Sequence, residues 1–306
     1  MKTNGSNGSN GTSRNGRLQD KVAIVTGAGT GIGEAICLKF AMEGAKVLAC
    51  GLPTDPVDDV VQNIRTMGYD ATPYKGDLSR EADAEACVQA AVDLWGKLDI
   101  LINNAGVLLT IAETQEYPLE DFDTHIKNNL YTTFLMTRFA LPHLQKTQGS
   151  IVSAGSEAGY NGLAQNTPYG GTKAFIHALM KGVAVEQAKY NVRANCVCPG
   201  AIDTAMTHPD EGPMTKKMEK MIIGATPLGR RGTPQEMANV YCFLASDEAS
   251  YVTGALWLAD GGITIAKGMV GEEAKSEAKT PPKGPVMQAM EHAREGDRNK
   301  ETHTLA

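Results

Sequence analysis

Residues 167–175 read TPYGGTKAF and place Tyr169 and Lys173 four positions apart. On a helix, that spacing puts both side chains on one face. A tyrosine phenol ordinarily keeps its proton to about pH 10, and a lysine ammonium is a strongly solvated cation. The pair therefore has two readings. One is a pair of exposed residues on a solvated helix. The other is a cation that makes the phenol a proton donor or acceptor near neutral pH, which is acid–base chemistry.

A second chemical signal is the glycine-rich stretch TGAGTGIGEAICLKFAMEGAKV, in which Gly27, Gly31 and Gly33 lie between an apolar run and a segment with helical apolar spacing. Glycines let a backbone turn tightly and approach a pyrophosphate, and the helix N-terminus behind them offers free N–H groups and partial positive charge. An ordinary tight turn is the competing reading. Nucleophile and metal schemes find less support. The residues around Ser156 read GSEAG, which is not the G-x-S-x-G of a hydrolase elbow. His177 lies two turns beyond Tyr169 with no evident acid partner, so a packing or surface role is expected for it. No H-E-x-x-H spacing occurs, and Cys196 and Cys198 lack a second pair at ligand spacing, so no metal site is expected.

The elements that must position these residues are legible as alternation. Six short, nearly continuous apolar runs occur at 22–26, 46–50, 98–104, 150–155, 193–198 and 255–260. Strands buried on both faces of a parallel sheet read in this way. DATPYKG (70–76) fits an edge strand interrupted by Pro73. Helical segments fill the gaps. One opens with an Asp55 cap and Pro56 in its first turn, and another with Thr233, Pro234 and Glu236 as a capping box. The fold expected is α/β, a single doubly wound Rossmann-type domain with a parallel sheet of about seven strands and helices on both faces. Such sheets bind ligands beyond the carboxyl ends of their strands.

The expected organisation is a polar, flexible tail over 1–19, a catalytic domain over 20–263 and a charged extension over 264–306. The extension holds seven Lys/Arg and seven Asp/Glu and is interrupted by proline. It reads as a solvated tail with one short helix near 286–294. The chain of 306 residues is 42% apolar, enough for a large core, and carries a formal charge of -6. That charge, with no cluster of Lys and Arg, argues against nucleic acid and anionic membrane as partners. No apolar run is long enough to cross a bilayer, and the N-terminus lacks an apolar signal centre. A cytoplasmic location is expected.

The glycine spacing is G-x-x-x-G-x-G after Thr26, and further motifs follow in order: GDLS with Asp77, NNAG at 103–106, NNLYTTF, SIVSAGS, Tyr-x-x-x-Lys, CPGAIDT at 198–204 and the ending PLGRRGTPQEMANVYCFLASDEASYVTGALWLADGG. Together they resemble the short-chain dehydrogenase/reductase family over residues 20–263, 244 of the 306. The resemblance implies a catalytic set of Asn129, Ser156, Tyr169 and Lys173. It implies a nicotinamide cofactor held by Gly27, Gly31, Ile32, Gly33, Asp77, Leu78, Asn104, Tyr169, Lys173, Pro199, Ile202 and Thr204. Tyr169 would move the proton, with its pKa lowered by Lys173, which also binds the nicotinamide ribose. Ser156 would hold the substrate oxygen, and Asn129 a water linking Lys173 to solvent. The family also implies a dimer or tetramer.

Two positions depart from the family. The acid that accepts the adenosine ribose of NAD is replaced by Gly51, and the cations that favour NADP are replaced by Leu52 and Thr30. Asp55 stands close by and would repel a 2'-phosphate, so NAD is expected ahead of NADP. The expected activity is hydride transfer between the cofactor and a secondary alcohol or ketone. Glu157, Asn161 and Gln165 point to a polyol, sugar or small hydroxyketone, and residues 205–226 to a lid. The alternatives are a 3-oxoacyl carrier reductase and, outside the enzymes, a dinucleotide-sensing protein without turnover.

Overall fold

The computed structural model describes residues 16–208 and 211–297. Seven strands form one parallel sheet: β1 (Val22–Thr26), β2 (Lys46–Gly51), β3 (Ala71–Lys75), β4 (Ile100–Asn103), β5 (Ser150–Ala154), β6 (Arg193–Pro199) and β7 (Leu256–Ala259). Their spatial order is β3-β2-β1-β4-β5-β6-β7. The chain winds outward from β1 to β3 and then returns to lay β4 on the other side of β1. The order reverses there, and a crevice opens beyond the strand ends. β3 lies at one edge, where Pro73 pairs with Ala49. An edge strand tolerates the missing N–H.

The helices are α1 (Gly31–Met42), α2 (Val57–Thr66), α3 (Glu81–Trp95), α4 (Leu119–His125), α5 (Thr132–Thr147), α6 (Thr167–Gln187), α7 (Lys216–Ala225), α8 (Pro234–Ala245), α9 (Ser276–Lys279) and α10 (Pro285–Asp297), with a π segment at Ile126–Tyr131 joining α4 to α5. Two apolar layers sandwich the sheet. In β1, Ala23 and Val25 join the layer containing Phe40, Val61 and Tyr241, while Val22 and Ile24 join the layer containing Met136, Leu144 and Met180. Alternate residues of one strand thus serve opposite layers, which is why the runs are apolar throughout. All six cysteines are free thiols buried in these layers.

Helix ends follow local chemistry. Thr233 and Glu236 form the expected capping box on α8. The Asp55 cap is a correction: α2 starts at Val57 without a side-chain cap, and the Asp55 carboxylate instead accepts the Leu52 N–H at 2.8 Å. The turn 52–55 lets the acid close its own loop sooner than the helix.

Both ends of the expected domain are also corrected. Leu18 is fully buried, and its N–H donates to the Glu43 carbonyl at 3.0 Å, so residues 16–19 are anchored; 1–15 lie outside the described residues. The extension is not a solvated tail where it is described. Val286, Ala289 and Met290 are buried in the layer formed by α1, α2 and α8. Gln235 Oε1 accepts the N–H groups of Val286 and Met287 at 3.1 and 3.2 Å, which caps α10. Residues 298–306 lie outside the described residues.

Candidate active site

The glycine loop leaves the carboxyl end of β1 and enters α1 beside the reversal point. Gly31 has a φ of +58°, a backbone conformation that glycine adopts without penalty. A side chain at Gly33 would collide with the Gly27 carbonyl, so a glycine there lets helix and loop close on each other. Thr26 and Asn104 tie this loop to the end of β4. Thr26 Oγ1 accepts the N–H groups of Asn104 and Ala105, both at 3.0 Å. Asn104 Nδ2 donates to the carbonyls of Thr26 and Gly27, both at 3.2 Å.

Two cavities meet at this loop and share Gly27, Thr30, Ala105 and Gly106. One, of about 260 Å³, runs over the ends of β2 and β3 and is lined by Gly51, Leu52, Asp55, Asp77 and Leu78. The other, of about 190 Å³, is lined by Gly31, Ile32, Asn104, Ser156, Tyr169, Lys173, Pro199, Ile202 and Thr204. They form one elongated cleft from the glycine loop to the tyrosine. Of the sequence-predicted residues, Gly33 and Asn129 line neither cavity. Gly33 packs helix against loop, and Asn129 sits fully buried behind the wall. The open loop, the free N–H groups of α1 and the cleft length fit a dinucleotide.

At the tyrosine end, α6 carries Tyr169 and Lys173 on one face. Lys173 Nζ lies 5.4 Å from the Tyr169 ring centroid and donates to the Ala154 carbonyl at 3.0 Å. The lysine is only 4% exposed, and burial pulls its pKa down to about 8. Burial pushes the Tyr169 hydroxyl up to about 12; a hydrogen bond with Ser156 works the other way, and the nearby Glu157 carboxylate adds to the rise. The lowering by Lys173 that the resemblance implies is not among the influences on the phenol here. Among the protein's own groups, burial dominates, and the ammonium is spent on a carbonyl.

Ser156 follows β5 in extended backbone, and its Oγ accepts the Ala158 N–H at 3.1 Å. Asn129 belongs to the π segment, where the extra residue in the turn aims it inward. Its Oδ1 accepts the Val107 N–H at 2.7 Å, and its Nδ2 donates to the Val107 carbonyl and to Thr172 Oγ1, both at 3.1 Å. A Cβ on Gly106 would lie 3.1 Å from Asn129 Oδ1 and 3.5 Å from Lys173 Nζ, so that glycine keeps open the space between the two side chains. The buried ring of His125 stands edge-on to Tyr169 with centroids 6.2 Å apart.

Asp77 accepts from Ser79 Oγ at 2.5 Å and pairs with Lys127 at 2.9 Å. Burial alone would raise its pKa, but these partners outweigh it and hold the carboxyl below the usual range. At the cleft's far end, a side chain on Gly51 would meet Asp55 Oδ2 at 2.8 Å. Val57 Cγ2 would be nearer still, at 2.5 Å, so Val57 and Asp55 together fill the space beside residue 51 and bring a carboxylate close to it. The lining of that cavity contains neither Lys nor Arg.

Sequence reasoning missed two contributors and left a third, His177, between packing and surface. Arg231, 8% exposed on its side chain, pairs with Glu219 of α7 at 2.8 Å and with Asp203 at 3.4 Å, and donates to the Thr207 carbonyl at 2.7 Å. His177 is buried directly beneath Ser156. The stretch 268–273 lies against α7, with Met269 and Glu272 facing Gly224. None has a motif; each is placed by chain segments distant in sequence. Of the polar trio after Ser156, Gln165 is exposed, while Asn161 and Glu157 are part-buried.

Comparison with known proteins agrees with this geometry. A family model described as Enoyl-(Acyl carrier protein) reductase matches residues 27–264. The chain is 37% identical over 252 residues to a 3-oxoacyl-[acyl-carrier-protein] reductase of Thermotoga maritima, covering 81% of this chain and all of the relative. It is 36% identical over 251 residues to an L-rhamnose 1-dehydrogenase (NAD(P)(+)) of a Sphingomonas species, covering 81% of this chain and 98% of that protein. The crystal structure of gox2181 superposes with a TM-score of 0.75 at 30% identity, covering 81% of this chain and 97% of that one.

Proposed function

Since this chain belongs to the short-chain dehydrogenase/reductase family of NAD(P)-dependent oxidoreductases, we propose that it interconverts a secondary alcohol and its ketone on a polyol, sugar or small hydroxyketone, with NAD as the preferred cofactor. The observation that carries the reading is the lining of one cavity by Ser156, Tyr169 and Lys173 together with Gly31, Pro199 and Thr204.

In this reading the glycine loop and the N-terminus of α1 hold the pyrophosphate, with Ile32, Asn104, Pro199, Ile202 and Thr204 around the nicotinamide half and Asp77 and Leu78 near the adenine. The nicotinamide, when bound, accepts or supplies the hydride. Tyr169 takes the proton from the carbinol oxygen in oxidation and returns it in reduction. Ser156 Oγ holds that oxygen beside the phenol. Lys173 holds the ribose and passes protons toward solvent, through a water that Asn129 positions. A phenol raised to about 12 is protonated at neutral pH, so the protein alone is poised to donate; before it can take the carbinol proton in oxidation it must lose its own, which alkaline pH favours.

The preference for NAD is supported by Asp55, whose carboxylate lies beside residue 51 in a cavity lined by no cation. A ribose diol gains an acceptor there, and a 2'-phosphate meets only repulsion. The substrate class is supported by the rhamnose-oxidising relative and by the part-buried Glu157 next to Ser156. The Thermotoga relative supports 3-oxoacyl carrier reduction as the second reading. Assembly into a dimer or tetramer is supported by Leu119, Phe122, Phe134, Phe175 and Val185, apolar residues exposed on α4, α5 and α6.

The test is a panel of sugars, polyols and 3-oxoacyl thioesters followed by nicotinamide absorbance, with Tyr169→Phe alongside. Sugar or polyol turnover is expected. The variant should lose at least ~10³-fold in kcat and bind NAD within about two-fold of the parent, because the phenol acts on the reacting oxygen. Near-normal turnover in the variant would remove the mechanism. Tighter binding of NADP than of NAD would remove the cofactor assignment.

A further inference from the structure

Ser156 is held from below by an arrangement that the catalytic reading leaves unused. The buried imidazole of His177, two turns along α6 from Tyr169, has its Nε2 at 3.4 Å from the Ser156 N and 3.2 Å from Cys198 Sγ. The ring of Tyr160 lies 5.1 Å from it, centroid to centroid. The loop is shaped around this ring. A Cβ on Gly155 would come 2.5 Å from His177 Nε2, and one on Gly159 would come 2.6 Å from His177 Cε1. Two glycines flanking Ser156 thus clear the space that one imidazole fills.

We propose that His177 is a positioning residue for Ser156: its Nε2 accepts the Ser156 N–H and, through that contact and the packing around it, fixes where the serine hydroxyl stands. The inference rests on the reading of Ser156 as the group that holds the substrate oxygen. The buried Ser156 N–H needs an acceptor, because an unpaired buried donor is costly. At 3.4 Å the bond is long, so ring packing shares the work. Nε2 must carry a lone pair to accept, which puts the ring proton on Nδ1. Burial, together with Lys173 and Lys181, holds the ring pKa down to about 4, so the neutral form is present at ordinary pH. Burial also pushes the Cys198 thiol up to about 12, so it stays protonated, and its sulfur, 3.2 Å from Nε2, is the other group that the Ser156 N–H faces. With the N–H held from beneath and Oγ accepting the Ala158 N–H, the serine is fixed at two atoms. Its hydroxyl proton is left for the reacting oxygen. Small displacements of such a group cost up to ~10²-fold in rate.

Two variants separate positioning from packing. His177→Leu keeps the volume and removes the acceptor, whereas His177→Gln returns an amide oxygen close to the position of Nε2. With NAD and the best alcohol of the panel, His177→Leu should lose ~10-fold or more in kcat, with KM and the NAD Kd within about two-fold of the parent. His177→Gln should recover to within about three-fold of the parent. A folded His177→Leu with kcat within two-fold of the parent, or a His177→Gln as impaired as His177→Leu, would overturn the proposal. Nitrogen NMR of the parent labelled with 15N-histidine decides the matter if His177→Leu does not fold. A bare Nε2 with the proton on Nδ1 is expected, and a protonated Nε2 would overturn it. The NMR reading requires no turnover, so it stands even if no alcohol is oxidised, which is the outcome that would defeat the proposed function instead.

Discussion

At the scale of single residues, the site sets burial against charge. Tyr169 and Lys173 could be found in the sequence because a four-residue spacing on a helix is a local property. Their pKa values could not, because desolvation is set by the strands and loops that cover them. Glu157 gives this a measurable form. Burial, aided by Asp260, raises its carboxyl to about 7. An ordinary glutamate titrates near ~4.3, so between that pH and 7 the folded protein holds a proton that the unfolded chain has released. Stability therefore falls as pH rises through the window. The full penalty, up to about 4 kcal/mol, is present above pH 7. Glu157→Gln removes it, so Tm should rise by several degrees at pH 8 and hardly at all at pH 4. Calorimetry giving equal shifts at both values would contradict the assignment. The sequence left His177 between packing and surface for a related reason: its partners lie twenty-one residues away on either side, at Ser156 and Cys198.

At the scale of elements, the strands were the most legible part of the chain. Residues buried on both faces give unbroken apolar runs, and the assigned strands fall within a residue or two of those runs. Tight turns were less legible: Asp55 has the identity of a helix cap and uses its carboxylate on Leu52 instead. A lid over 205–226 is expected only by resemblance; the structure adds the contacts that hold α7. Arg231 bridges Glu219 on α7 to Asp203 and Thr207 beside the tyrosine end of the cleft. Gly224 and Gly271 bring α7 and the extension together on the other side, since a Cβ on either would meet the opposite chain. Arg231→Met removes the bridge and leaves Glu219 unpaired. Amide hydrogens of residues 216–225 should then exchange at least ~10-fold faster, a local loss of about 1.4 kcal/mol. Exchange there that matches the parent would show that the extension alone holds α7.

At the scale of the whole molecule, the extension is part of the fold. Its many charged residues and its prolines made it read as solvated, because composition averaged over forty residues hides a short apolar face. Val286, Ala289 and Met290 lie at helical spacing, and that face completes the layer over α1, α2 and α8. Asn63 adds a bond from α2 to the Ala289 carbonyl at 3.3 Å. Met290→Ala should cost about 2–4 kcal/mol in urea unfolding and leave the NAD Kd unchanged. A loss below ~0.5 kcal/mol, the range of surface substitutions, would return α10 to the solvent. The six sequestered thiols have a use of their own. A colorimetric thiol reagent finds nothing to attack while the layers stay closed, so each unit of colour it releases marks an opening of the chain. The protein thereby carries its own clock for the rate at which it comes apart.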